Sequence, residues 1–332
     1  MFDIIDYSEV EDQLLIDLRT KKEFDEFHIP NSINFPILTE KEHAEIGTLH
    51  KNKEYKIAKL KAIEFASIKL PKLLKLVSAY NEIVFYCARG GYRSKSVSAL
   101  FYALDFHVRR LKGGIKSYRN IINNSLNSLI NSHDYVTIYG QTGCGKTEIL
   151  EIIKSMDYPV LDLEKYANHY GSLLGSMGRG EQNSQKMFES LLYHDLLKYK
   201  NEKIILIEGE SKKIGKISLP ESLYSKMISG DKIFIDASME DRAKRLVDTY
   251  GEEIKNSYDK EPFSKLKYYL GNEIFNLIVN KIKENDLTSA AILLCNHHYD
   301  KFYKVRPEKN DKIFINEDSK NTAQEIIKFI FN

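Results

Sequence analysis

Apolar and polar residues follow two rhythms along this chain. Short unbroken apolar runs rich in branched and aromatic residues, "LLIDL" (14–18) and "EIVFYC" (82–87), read as buried strands. Between them, "TEKEHAEIGTLHKNKEYKIAKLKAIEFASIKLPKLLKLVSAY" is helical in character, with breaks expected at Gly47 and Pro71. After Cys87, "SKSVSALFYALDF" repeats apolar residues at helix spacing, and "VRRLKGG" reads as a last edge strand closing on a glycine turn. Strands alternating with helices predict a parallel sheet covered on both faces.

The same alternation starts again further on. Residues 121–133, "IINNSLNSLINSH", read as a connector. Beyond it the strands "YVTIYG", "PVLDLE", "KIILIEGE", "KIFIDA" and "KIFINE" are separated by helix-like segments, which predicts a second α/β unit over 134–332. The charged stretch from about 239 to 290 lacks strand patterning and reads as a helical insertion. A length of 332 residues agrees with two domains, the first over 1–120.

Composition adds exclusions. With 42% hydrophobic and 29% charged residues the chain reads as globular. The acidic N-terminus "MFDIIDYSEVEDQLL" lacks a basic region followed by an apolar run, and no stretch is long and apolar enough to span a bilayer, so no membrane role and a cytoplasmic location are expected. Cys87, Cys144 and Cys295 share no metal-ligand spacing and are odd in number, against both a zinc site and a disulfide framework. Net charge is only +2, but Cys87 to Arg119 carries a local +7, and Lys51 to Lys61 holds five lysines against Glu54. These runs are either solvated faces or the seat of an anionic partner.

"GQTGCGKT", Gly140 to Thr147, matches G-x-x-x-x-G-K-[ST] between a strand and a helix. Gly140, Gly143 and Gly145 let consecutive N–H groups turn inward, the following helix adds its positive dipole end, Lys146 would reach outer phosphate oxygens, and Thr147 a magnesium ion. Cys144 in this loop reads as a small filler, and Cys295 in "AAILLC" as core. Glu208 or Glu210, after "IILIE", is a candidate for metal or water contact, or simply a charged strand end. The segment 171–185, "GSLLGSMGRGEQNSQ", is a surface loop or else brings Ser172, Arg179 and Gln185 to phosphate or RNA; Ser211 is a further candidate contact.

A thiolate is the reactive form of cysteine, favoured by amides, a helix N-terminus and arginines. "YCARGGYRS" supplies all three around Cys87: Gly90 and Gly91 let the loop wrap, and Arg89 and Arg93 carry charge. Cys-x5-Arg occurs in cysteine phosphatases, but "LLIDLRTKKEFDEFHIPNSINFPI" (14–37) and "LKGGIKSYRN" resemble the rhodanese fold, in which Asp17, Arg19 and His28 are mainly architectural. Phe27 and Asn31 stand where that fold usually has glycine.

The whole chain resembles the bacterial tRNA 2-selenouridine synthases, through "YCARGGYRS", "EIGTLHKNKEYKIAKLKA", "GQTGCGKTEIL", "LDLEKYANHYGSLLGSMGRGEQNSQKMFE", "IEGESKKIG" and "LLCNHHYDKFY". Ala88 and Tyr170 depart from the usual tryptophan and basic residue. The resemblance implies an α/β architecture: an N-terminal rhodanese-like parallel-sheet domain, then a P-loop NTPase-like α/β domain with a helical insertion. It implies replacement of sulfur by selenium in wobble 2-thiouridine of tRNAs such as those for Lys, Glu and Gln. Selenophosphate and geranyl diphosphate are the implied co-substrates, S-geranylation is the implied intermediate step, and no tightly held cofactor is implied. Cys87 becomes the essential thiol, with Arg89, Gly90, Gly91 and Arg93 shaping its anion pocket. Five residues between Cys87 and Arg93, one more than in most single-domain rhodaneses, should widen the cradle. A rhodanese-type sulfurtransferase coupled to a nucleotide-binding module, a nucleotide-binding regulatory protein and a cysteine phosphatase are the competing expectations.

Overall fold

The computed structural model describes residues 3–169, 171, 180–261, 263–303, 305–309 and 311–331. The chain folds as two compact units, one running to Leu126 and taking in Glu189–His194, the other made of Asn127–Phe188 and the chain from Asp195.

In the first unit, β1 (Asp3–Ile5), β2 (Leu14–Asp17), α1 (Lys21–Glu26), β3 (Ile33–Asn34), α2 (Glu40–Lys51), α3 (Tyr55–Ser67), α4 (Leu70–Val77), β4 (Ile83–Tyr86), α5 (Tyr92–Ala103), β5 (Val108–Leu111) and α6 (Gly114–Asn131) follow in order. The sheet is parallel throughout with order β1-β5-β4-β2-β3. β5 is therefore not the edge strand its sequence suggested: the short "DII" of β1 pairs outside it, a three-residue run too brief to carry a periodicity. α2 runs straight through the exposed Gly47, since a helical glycine costs only about 1 kcal/mol and the Thr39–Glu42 capping box and buried Ile46 anchor the helix. The chain breaks instead at Lys53, whose φ is +63°, and Pro71 sits harmlessly in the first turn of α4.

β4 is buried on both faces, packing Ile83 and Phe85 with Ile16, Leu73, Val97 and Phe101. It is held in register by β2 and delivers Cys87 at its C-terminal end. Asp17 and Arg19 form a buried ion pair, and Arg19 also donates to the Phe27 carbonyl at 2.6 Å, which fixes the turn behind β2. Asn31 meets the glycine-like demand of that turn by adopting φ +64°, a region asparagine tolerates.

The second unit contains β6 (Asp134–Tyr139), α7 (Lys146–Ser155), β7 (Val160–Leu161), α8 (Leu163–Ala167), α9 (Gln185–Lys198), β8 (Ile204–Glu208), the hairpin β9 (Lys213–Ile214) and β10 (Ile217–Ser218), α10 (Glu221–Ser229) and β11 (Asp231–Asp236). Then come α11 (Met239–Ser257), α12 (Leu266–Lys283), α13 (Leu287–Leu294), a π-helical turn Cys295–Tyr299, α14 (Asp300–Phe302), β12 (Lys312–Ile315) and α15 (Ser319–Phe331). The main sheet is parallel with order β12-β11-β6-β8-β7, so β6 is central and the loop after it opens where chain crossovers diverge to either side. Val136, Ile138, Ile149, Ile153, Leu206 and Ile233 fill its core. The helical segment has a separate core around Leu246, Phe263, Ile278, Leu294 and Cys295. Among the described residues no helix is long and apolar enough to cross a membrane.

Candidate functional site

Cys87 is buried, and its Sγ lies 3.2 Å from the Ser94 hydroxyl at the start of α5. The loop that follows is held by its carbonyls. Ile115 N–H donates to the Cys87 carbonyl at 2.9 Å, Lys116 N–H to that of Ala88 at 3.2 Å, the Arg110 guanidinium to that of Gly90, and Lys95 N–H to that of Gly91. Among the described residues no acceptor takes the N–H groups of residues 88–94. Carbonyls tied away and amides left over are what an anion cradle at a helix N-terminus requires. Gly114 makes the arrangement feasible. Its φ is +60°, and a Cβ there would stand 2.1 Å from the Cys87 carbonyl oxygen, so only glycine lets the Gly113–Gly114 turn press against the cysteine loop.

Two residues expected in this pocket do other work. Arg93 is committed to Glu23 of α1, with contacts of 2.7 and 3.2 Å, because its helical position turns the guanidinium toward that carboxylate. Gly91 has φ −86°, and a methyl group there would meet nothing, so the wrapping falls to Gly90 at φ +62°. Arg89 is exposed and, with Lys95 and Lys116, stays outside any ion pair among the described residues. The rest of the +7 run is largely compensated: Arg109 faces Glu82, Lys112 Asp6, and Arg119 Glu189.

The Arg93–Glu23 pair has a pH signature. Burial pushes the Glu23 carboxyl up, but Arg93 and the Thr20 amide outweigh it and hold its pKa down to about 2. Because the folded value lies below the ordinary 4.5, the pair stabilises fully above that pH, and the contribution is lost as pH falls through about 2. Urea titrations should find Glu23→Gln less stable by on the order of 2 kcal/mol at pH 7, with the gap closing near pH 2. A gap that is unchanged at pH 2 would remove the ion pair as its cause.

The phosphate loop repeats the design. The Lys146 ammonium donates to the Gly140 carbonyl at 2.8 Å, Arg242 to that of Thr142 at 2.9 Å, and the Asn316 amide to that of Cys144 at 2.8 Å. The N–H groups of Gln141–Gly143 and Gly145–Thr147 go to no acceptor among the described residues. Gly145 sits at φ +93° with Asn316 2.3 Å from where its Cβ would be, while Gly140 and Gly143 lie against the backbones of Ile235 and Arg242. Cys144 is buried in the sheet core, and Cys295 is core as well, its thiol pushed up to about 11 by burial. Burial disfavours the charge on Lys146, yet the neighbouring acidic groups Cys144, Glu208, Tyr303 and Glu164 more than compensate and keep it protonated.

Glu208 and Glu210 are brought together with Glu164, their oxygens within 4.8 Å of one another, and the Thr147 hydroxyl lies 3.5 Å from Glu164 and from Glu208. Burial, then the charge of Glu208, pushes Glu210 up to about 8. An all-oxygen donor set under this repulsion suits a hard divalent cation. Glu164 was not singled out in the sequence, although its place after the strand "PVL" is the same signal that marked Glu208. Arg242, clamped by Asp300 at 2.6 and 3.0 Å, and Tyr303, whose hydroxyl accepts from Gly140 N–H at 2.7 Å, come from over a hundred residues away.

Gln185 is engaged by the hairpin. Its carboxamide bonds both the N–H and the carbonyl of Ser218 at 2.9 Å, matching a strand edge as a backbone would. Ser211 is spent on the Lys213 carbonyl in a local turn. Ser172 and Arg179, like Tyr170, lie outside the described residues.

Fold and site define a two-part α/β protein, a rhodanese-like unit with a cysteine loop joined to a phosphate-loop unit. The rhodanese-like domain model matches residues 6–121, and the model for the tRNA 2-selenouridine synthase AAA domain matches residues 133–289. A tRNA 2-selenouridine synthase of Nitrosomonas eutropha is 32% identical over 72% of this chain and 63% of that protein, and one of Pseudomonas fluorescens is 30% identical over 75% and 69%. The chain belongs to the tRNA 2-selenouridine synthase family. Its matched region spans 63 to 66% of the length of the Nitrosomonas eutropha and Shewanella relatives. A shikimate kinase from Bacteroides thetaiotaomicron superposes with a TM-score of 0.27 at 14% identity, covering 60% of this chain and 99% of that one, a likeness too slight to add to the strand order.

Proposed function

We propose that this chain is a cytoplasmic transferase that replaces sulfur by selenium in wobble 2-thiouridine of tRNAs such as those for Lys, Glu and Gln. The observation that supports this most is the pair of loops with amides left for an anion, one of them carrying a thiol, in a chain of this family. Selenophosphate and geranyl diphosphate are the two anions the reading requires.

In the first step the base sulfur attacks C1 of geranyl diphosphate: a C–S bond forms, the C–O bond breaks, diphosphate departs into the phosphate loop, and the N3 proton of the base passes to solvent. The loop amides, the N-terminus of α7 and Lys146 stabilise the departing charge. Geranylation turns the sulfur into a leaving group. In the second step selenium is already at the selenide level in selenophosphate, so no oxidant is needed. The Cys87 thiolate attacks phosphorus, the S–P bond forms as the P–Se bond breaks, and hydroselenide is released; water then returns phosphate and the free thiol. Hydroselenide adds to C2 of the base, geranyl thiol leaves with the selenium's proton, and N3 takes a proton back from solvent. A magnesium ion, held by Thr147, Glu164, Glu208 and Glu210, would neutralise diphosphate charge when bound.

Incubation with 2-thiouridine tRNA, geranyl diphosphate and selenophosphate, followed by nucleoside mass spectrometry, tests the reading. Sulfur release from thiosulfate to cyanide with no tRNA product would favour a sulfurtransferase instead.

A further inference from the structure

The helical segment of the phosphate-loop unit ends in aromatic rings that the phosphate loop does not use. Tyr268 and Tyr269 on α12 are 88% and 50% exposed, and Phe302 on α14 is 56% exposed. The rings meet edge to face, Tyr268 to Tyr269 at 5.4 Å and Tyr269 to Phe302 at 6.0 Å. The buried His298 stands 5.7 Å from Tyr269 and 5.1 Å from Phe302. Large rings left in water forfeit burial that a folded chain ordinarily takes, and packed against one another they present ready-made π-faces.

His298 supplies an independent sign of a ligand. The residue is only 7% exposed, and its Nδ1 is buried with no hydrogen-bond partner among the described residues. Leaving such an atom unsatisfied costs about 1–3 kcal/mol, which a ligand's polar edge would recover. Burial holds the ring in its neutral form, able to accept or donate at that nitrogen.

Position and charge narrow the occupant. Asp300 clamps Arg242 onto the phosphate loop and Tyr303 caps Gly140, so Phe302, between them in sequence, is fixed relative to that loop. Lys267 and Lys301 flank the rings, exposed and outside any ion pair among the described residues. Aromatic faces beside unpaired lysines are the composition of a single-stranded nucleic-acid platform, where bases stack and the phosphates meet the ammonium groups.

We propose that Tyr268, Tyr269 and Phe302 form a stacking surface for unpaired RNA bases, with His298 Nδ1 bonding the edge of one of them. The proposal rests on the tRNA reading above and places one part of that contact on the phosphate-loop unit. The test uses the full chain and a synthetic anticodon stem-loop carrying 2-thiouridine and a 2-aminopurine in the loop, read by anisotropy and by quenching. Tyr269→Ala and Phe302→Ala should each weaken binding about tenfold and relieve the quenching, as expected when one stacked base is lost. Tyr269→Trp should retain both. Tyr268→Ala, at a position too exposed to matter for folding, should weaken binding a few-fold. A loop-free duplex should bind all variants alike. If the wild type binds and quenches while the alanine variants do so equally well, the platform is wrong and the tRNA reading stands. If the wild type binds no stem-loop, both fall. Variants that lose binding to anionic phospholipid vesicles, or lose self-association, with RNA binding intact would reassign the surface and overturn the proposal.

Discussion

Cys87→Ala leaves S-geranylation of 2-thiouridine intact and lowers selenium incorporation by at least about a thousandfold, the scale on which removing a nucleophile acts. The expectation comes from where the thiol sits. Cys87 follows the central strand of the rhodanese-like sheet, and among the described residues its Sγ has a hydroxyl alone in hydrogen-bond range and the amides of residues 88–94 remain for an anion. Alanine fits the same buried space, so the loop keeps its carbonyl anchors on Ile115, Lys116 and Arg110. In the proposed second step what is lost is the sulfur that would open the P–Se bond. Tandem mass spectrometry of digested tRNA should therefore show S-geranyl-2-thiouridine accumulating without the seleno product. Equal loss of both products would mean that Cys87 serves the fold or the first step.

Lys146→Ala should have the opposite profile: both products fall, by about a hundredfold to a thousandfold, because in the proposed sequence the selenium step consumes what the phosphate loop makes. Lys146 is half-buried, and the acidic groups around it keep it charged. Its removal deletes the ammonium that donates to the Gly140 carbonyl and leaves Glu164, Glu208 and Glu210 repelling one another beside the loop. Supplying the variant with tRNA already S-geranylated should restore selenation, whereas Cys87→Ala should not respond. An unrescued Lys146→Ala whose unfolding midpoint matches the wild type would contradict the division of steps between the two loops.

The sequence made both loops legible because each is a contiguous motif: strand, glycines, and a helix that begins within a few residues of the reactive group. It did not reveal what holds them. Arg110 on the neighbouring strand β5 and Gly114 just after it brace the cysteine loop, and Arg242, Tyr303 and Asn316 brace the phosphate loop across more than ninety residues. Nothing local in the chain encodes such distant partners. The same blindness explains the misplaced expectations. Arg93 and the +7 run look cationic in sequence because Glu23, Glu82, Asp6 and Glu189 lie elsewhere in it. Gln185 looked like a polar contact in a glycine-rich loop, yet its amide closes on the β10 backbone. Asn31 went the other way: a departure from glycine proved compatible with the turn because asparagine tolerates positive φ.

In the proposed mechanism two anion-binding loops carry out two successive steps on one base. Its most direct test is a time course with purified wild-type chain, 2-thiouridine tRNA and geranyl diphosphate, with selenophosphate added after the first product plateaus. S-geranyl-2-thiouridine should form first and convert to 2-selenouridine, with stoichiometric phosphate and geranyl thiol, only after the second addition. Selenouridine formed at the same rate when geranyl diphosphate is omitted would contradict it.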